Sequence, residues 1–152
     1  MTHDAGDLLR RITRLHTAVQ QRAASCCGIQ SLTRCQLLTT LGREGPLTLA
    51  DLARRLGADK GWLSRNVDDL VQGGLVDKQP HPADRRAVTL TLTPEGQAQF
   101  QALNTELCSQ SARLLSRVPP EEQAGVLRAL EVLADALEAE YAVQLGPSCT
   151  AT

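Results

Sequence analysis

At 152 residues the chain has the length of one domain, or of a small domain carrying helical extensions. Hydrophobic residues make up 42% of it but aromatics only 2%, so the core has to be Leu, Val and Ala, which favours packed helices over a β-sandwich. The net charge of −1 excludes a global basic field, so any contact with nucleic acid must rest on local charge.

The segment MTHDAGDLLRR is polar and has no apolar signal core, and no apolar run approaches the ~18 residues of a membrane span. A soluble, cytoplasmic protein with no membrane partner is expected. Five cysteines in a helical chain of that kind argue against a disulfide framework and for reduced thiols with a redox or metal role.

Leu8, Ile12, Leu15 and Val19 recur at helical spacing, which predicts one amphipathic helix over about residues 4–24. SCCGIQS interrupts it at Gly28. Thr33 and Gln36 have the spacing of a capping box, and Leu37, Leu38 and Leu41 follow as an inward stripe ending at Gly42. Gly45-Pro46 is a turn, and Leu47 is a candidate first strand.

Thr48 and Asp51 form a second capping box, opening a helix with Leu49, Leu52, Ala53 and Leu56 inward and Gly57 closing it. Asp59 is placed to cap the next helix, whose inward stripe is Leu63, Val67, Leu70 and Val71, ending at Gly73-Gly74. Leu75–Gln79 and Ala87–Thr93 are the two arms of a hairpin, and VTLTLT alternates with period two. Two short helices across a tight turn, followed by a hairpin with PHPADRR at its tip, are the parts of a winged helix-turn-helix in order.

Thr93-Pro94-Glu95-Gly96 starts a long helix with apolar Phe100, Leu103, Leu107, Leu114 and Val118. Pro119-Pro120 breaks it, and a last helix carries Leu127, Leu130, Leu133, Ala134, Leu137 and Tyr141. From Glu95 to Glu140 the balance is acidic, whereas Arg54, Arg55, Lys60, Arg65, Lys78, Arg85 and Arg86 crowd the middle of the chain.

The expected fold is mainly α (α+β): a winged helix-turn-helix with long N- and C-terminal helices forming a dimerisation domain. Residues 1–30 and 94–145 are its dimerising helices, 31–93 the DNA-binding domain and 146–152 a disordered tail. One small domain cannot cover the long apolar stripes at both ends, so a homodimer is expected, and its two-fold axis suits palindromic double-stranded DNA with half-sites about one turn apart.

On the second helix of the motif, Lys60, Gly61, Trp62, Ser64, Arg65 and Asp68 lie off the inward stripe. Lys60, Ser64 and Arg65 can donate to base edges, Gly61 lets the backbone or a phosphate come close, and Trp62 either touches a thymine methyl or sugar or packs against the wing. Asp84 can pair with Arg85 or Arg86 and stiffen the tip, leaving one arginine for a minor groove. Arg54 and Arg55 suit phosphates.

GLVDKQPHPADRRAVTLTLTPEG resembles the wing signature of the multiple-antibiotic-resistance regulator (MarR) family. LTLADLARRLGADKGWLSRNVDDLVQGGLV resembles the two helices before that wing, and LTRCQLLTTLG, with Gln36, the helix before those. The resemblance implies a homodimeric winged helix-turn-helix regulator, usually a repressor of palindromic sites released by a ligand or by thiol oxidation. Lys60, Ser64, Arg65, Asp84, Arg85 and Arg86 occupy its DNA-reading positions; Trp62 and the Cys pair depart from the common pattern.

Cys26, Cys27 and Cys35 flank the Gly28 break. Three soft thiolates there suit a thiophilic effector such as As(III) or Sb(III), whereas zinc needs a fourth ligand, from His16 or a dimer mate. The rival is oxidation: Cys35, near the Thr33 cap, is a candidate for a lowered pKa and for a disulfide with Cys26 or Cys27. Structural cysteines in a repressor answering a small organic ligand are the third reading. Cys108 is assigned to packing and Cys149 to the tail.

No Ser/His/Asp set, glycine-rich phosphate loop or paired carboxylates accompany the thiols, and His3, His16 and His81 are scattered, so an enzyme is not expected and no cofactor is required. A protein-binding winged helix is the alternative class, disfavoured by the basic recognition face.

Overall fold

The computed structural model describes residues 4–29 and 31–144. The order of elements is α1 (Ala5–Cys26), α2 (Leu32–Glu44), β1 (Leu47–Thr48), α3 (Leu49–Leu56), α4 (Lys60–Gln72), β2 (Val76–Pro80), β3 (Val88–Leu92), α5 (Pro94–Leu115) and α6 (Pro120–Gln144). The expected mainly helical winged helix-turn-helix is what the chain forms, and Leu47 does begin a strand. Cys149 and the expected disordered tail lie outside the described residues.

The sheet has the order β1-β3-β2, all antiparallel. Leu47 pairs with Leu90, and the wing hairpin runs from Val76 opposite Leu92 to Pro80 opposite Val88. Alternation along β3 turns Leu90 inward beside Val76, where it joins Leu37, Leu41, Leu52, Leu63, Val67 and Leu70 in one cluster. The sheet thereby closes the base of the helix-turn-helix and leaves the wing tip projecting. A second cluster joins Ala24 and Ile29 near the α1–α2 joint, Cys35 and Leu38 of α2, and Leu103 of α5.

Local signals account for most boundaries. Thr48 accepts the Asp51 amide at 3.1 Å and caps α3, and Gly57 ends it in the left-handed region at φ 59°, where a side chain would be strained. Asp59 accepts the Trp62 amide at 2.9 Å and caps α4. Thr93 accepts the Gly96 amide at 3.0 Å while its hydroxyl donates to the Gly74 carbonyl, which ties the start of α5 to the end of α4. Two expectations need correction. Ser31, not Thr33, sits at the N-cap of α2, with no side-chain capping bond, and α2 continues through Gly42 to Glu44.

The chain divides into two units between Gln110 and Ser111. In the first, α1 exposes Leu8, Ile12, Leu15 and Val19; in the second, α6 exposes Leu127, Leu130, Val132, Leu137 and Val143. Among the described residues no polar or charged side chain is buried, and no helix is long and apolar enough to cross a membrane.

Candidate nucleic-acid interface and cysteine joint

Helix α4 spends its Leu63, Val67 and Leu70 positions on the core, so the remaining faces are open. Lys60, Gly61, Trp62 and Arg65 are exposed and Ser64 is half-buried. Trp62, at 45% exposed, is not covered by the wing or a neighbouring helix. Its amide goes to Asp59, and its carbonyl accepts the Asn66 side-chain amide at 3.0 Å, so the first turn presents Lys60, Gly61 and Trp62 from a fixed backbone.

Asp68 is on the open face, as expected, and there accepts Lys78 of β2 at 3.0 Å, joining the wing to α4. Asp69 faces Arg34 of α2 at 3.6 Å. Arg54 pairs with Asp51, and Arg55 with Glu44. The two arginines read as phosphate ligands thus already have carboxylate partners. The hydrogen bond from the Thr48 hydroxyl, with Arg54 and Arg55 nearby, holds the Asp51 carboxyl below the usual carboxylate range against a smaller opposing desolvation.

The wing tip is ordered by hydrogen bonds from its backbone amides, several of them to side chains. His81 Nδ1 accepts the amides of Ala83 at 3.1 Å and Asp84 at 3.2 Å, and the His81 amide donates to the Ala87 carbonyl at 3.0 Å. Asp84 does stiffen the tip, but by accepting the Arg86 backbone amide at 2.9 Å and not by pairing with a guanidinium. Arg85 and Arg86 are exposed. The part played by His81 was missed from the sequence, although a side-chain acceptor two residues ahead of a turn amide is the signal of an Asx-type turn.

The cysteine joint differs more from expectation. Cys35 is 3% exposed, packed with Ala24, Ile29, Leu38 and Leu103, and Cys27 lies against the same cluster. Cys26 is exposed, beside a shallow recess with Ala18, Gln21, Arg22 and Ser25. The structure therefore brings Cys27 and Cys35 together and leaves Cys26 outside. Among the described residues no three of His, Cys, Asp and Glu are gathered closely enough to hold a metal ion, so the three-thiolate cluster is not preassembled. The expected low pKa of Cys35 is also corrected: burial pushes its thiol up, and the neighbouring Cys27 adds to this. Burial, then Glu106 and Cys26, raise Cys27 as well. A helix start can lower a thiol only where its dipole reaches it unopposed, and Cys35 points into an apolar cluster. Cys108, assigned to packing, is exposed.

The fold, with Lys60 and Arg65 exposed on α4, defines a winged helix-turn-helix protein. The MarR family model matches residues 30–87. An uncharacterised helix-turn-helix transcriptional regulator of Bacillus subtilis, YfiV, is 30% identical over 108 residues, covering 71% of this chain and 68% of that one. The transcriptional repressor NicR of Pseudomonas putida is 35% identical over 105 residues, covering 68% and 65%. Wild-type MarR from E. coli in its apo form superposes with a TM-score of 0.78 at 22% identity, covering 88% of this chain and 98% of that one, a likeness of fold. The chain belongs to the MarR family of transcriptional regulators.

Proposed function

We propose that the protein is a homodimeric repressor that binds palindromic double-stranded DNA and is released when a thiophilic metalloid, As(III) or Sb(III), binds thiols at the α1–α2 joint. The observation that carries the DNA reading is the division of α4: its Leu63–Val67–Leu70 face is buried while Lys60, Gly61, Trp62 and Arg65 stand open, as do Arg85 and Arg86 on the wing tip. Lys60, Ser64 and Arg65 then read base edges in the major groove, and Arg85 or Arg86 enters the minor groove, where the potential is most negative. Arg54 and Arg55 add phosphate contacts when their present ion pairs yield. The relative NicR is named a repressor, which supports the sign of regulation.

The exposed apolar stripes of α1 and α6 support dimerisation through residues 1–30 and 94–145, because single soluble chains seldom leave apolar faces of that extent open. For the effector, Cys27 and Cys35, at one buried cluster, supply two soft ligands, and exposed Cys26 supplies a third only if the end of α1 rearranges. A guest binding there disturbs the cluster that includes Leu103 of α5, and releases DNA only if it prefers the arrangement that does not bind DNA. Zinc has less support, since it needs a fourth ligand. The packing of Cys27 against the Cys35 cluster also favours a second reading: a peroxide oxidises both thiols to a Cys27–Cys35 disulfide and is itself reduced to water and an alcohol.

The test uses a duplex that the reduced protein selects from a random pool. Arsenite, antimonite, zinc and peroxide are added in turn while binding and metalloid stoichiometry are followed. Release by arsenite or antimonite that is lost in Cys27→Ser and Cys35→Ser is expected. Release by peroxide alone selects the oxidation reading. Variants that respond to every agent like wild type, or a wild type that ignores all four, overturn thiol sensing and leave an organic ligand.

A further inference from the structure

We infer that Trp62 is a specificity-determining residue, its indole meeting the 5-methyl group of a thymine in each half-site. This rests on the DNA reading above. Trp62 is the only tryptophan in the chain and remains 45% exposed in a helix whose other large apolar residues are taken into the core. It stands in the first turn of α4, the part of a recognition helix that reaches base edges. Its backbone is held from both sides, by Asp59 at the amide and Asn66 at the carbonyl, so the indole is presented from a fixed point. Residue 61 is glycine, exposed, so it adds no side chain of its own beside the indole; a Cβ built there would meet the Asp59 carboxylate at 3.3 Å. Lys60 and Arg65, on the same two turns of α4, are exposed as well, so the indole belongs to the stretch of helix assigned above to base edges. In the major groove the one apolar group on a base edge is the thymine methyl, and it is the natural partner for an indole held there.

The probe is deoxyuridine, which differs from thymidine only in lacking that methyl. On the duplex selected from a random pool, each thymine is replaced in turn. Wild type is expected to lose about fourfold in affinity per half-site at one thymine position, the worth of one buried methyl. Trp62→Ala should bind both duplexes equally at that position, with its salt dependence unchanged. Trp62→Phe, which keeps an apolar ring and loses the N–H, should retain most of the preference. Emission from the single tryptophan should shift on binding the thymine duplex, and less on the deoxyuridine one, a readout that needs no variant. If no thymine-to-deoxyuridine change weakens wild type more than Trp62→Ala, the proposal is overturned and the indole contacts sugar or phosphate. If wild type selects no duplex from the pool, the DNA reading falls and takes this inference with it.

Discussion

The ring of Phe100 on α5 lies directly over Gly42 of α2. A Cβ at residue 42 would stand 2.3 Å from the ring's Cγ, closer than any real packing contact, so the two helices meet at this depth only because one of them carries glycine there. Gly42→Ala should force the ring aside and cost about 1–3 kcal/mol, the range for overpacking a well-filled core. Urea unfolding followed by circular dichroism measures it. An unchanged midpoint would mean that Phe100 has room to turn, and that the close approach does not hold α5 against α2.

Asp51 gives an acid limb to stability. Its folded-state carboxyl is held below the usual range by the Thr48 hydroxyl first, then by Arg54 and Arg55. A lowered carboxylate pKa contributes stability that is present above the unfolded value of about 3.9 and is lost as pH falls through the lower folded value. Wild type should therefore exceed Asp51→Asn in stability at neutral pH, and the gap should narrow below about pH 4. A gap of constant size between neutral pH and the acid end would remove the electrostatic explanation and leave only capping geometry.

What could be read ahead of the structure followed the range of the interactions. Thr48, Gly57 and Asp59 act within a turn of their own positions, and their roles were plain from spacing; so was the inward Leu63–Val67–Leu70 stripe. Gly42 was misread as a helix end because its reason is Phe100, far along the chain. Cys35 was misread for the same cause: its burial comes from Leu103 on α5 and Ala24 on α1, and neither is visible from the start of α2. The Lys78–Asp68 bond depends on how the hairpin folds back over α4. On the candidate interface, the residue types were legible, but which arginines are already paired was not.

His81 should matter to the wing out of proportion to its exposure. Its Nδ1 accepts two consecutive tip amides, Ala83 and Asp84, so His81→Ala leaves both without that acceptor and frees the loop that carries Arg85 and Arg86. Hydrogen exchange at those amides should quicken in His81→Ala and be largely restored in His81→Asn, whose side-chain oxygen can accept in a similar turn. Global stability should change by less than about 1 kcal/mol, as for a surface substitution. Equal protection in all three proteins would assign the tip's order to the Asp84 and Ala87 backbone bonds alone.

The thiols should react in the order set by exposure and, for Cys27 and Cys35, by a pKa raised through burial. Cys26 and Cys108 are exposed, Cys27 is half-buried and Cys35 is buried. With a short pulse of iodoacetamide at pH 8, mass spectrometry should find Cys26 and Cys108 modified first, Cys27 later and Cys35 only on unfolding, because the thiolate is the reactive form. Raised thiols also stabilise the fold below their ordinary value of 9.0, and that contribution is lost as pH rises through the folded values. Early labelling of Cys35 would show the Ala24–Ile29–Leu103 cluster opening far more readily than its packing implies.

The arginines divide by the partners they already hold, and salt dependence of DNA binding should separate them. Arg85 and Arg86 are exposed on a tip whose Asp84 carboxylate is engaged with a backbone amide, so each is free to meet a phosphate or a minor groove. Arg55 holds Glu44, and Arg54 holds Asp51; either must surrender that pair to bind DNA. Replacing a residue that neutralises one phosphate lowers the slope of log affinity against log salt by about one. Arg85→Ala or Arg86→Ala should give that full change with folding stability intact. Arg55→Ala should give a smaller change in slope and a loss of stability of up to about 1 kcal/mol, the ordinary worth of an exposed ion pair. Isotherms from 50 to 300 mM salt, at roughly the concentrations where counterion release dominates, make the comparison. A full unit of slope lost in Arg55→Ala, with none lost at either wing arginine, would move the phosphate contact from the wing to α3.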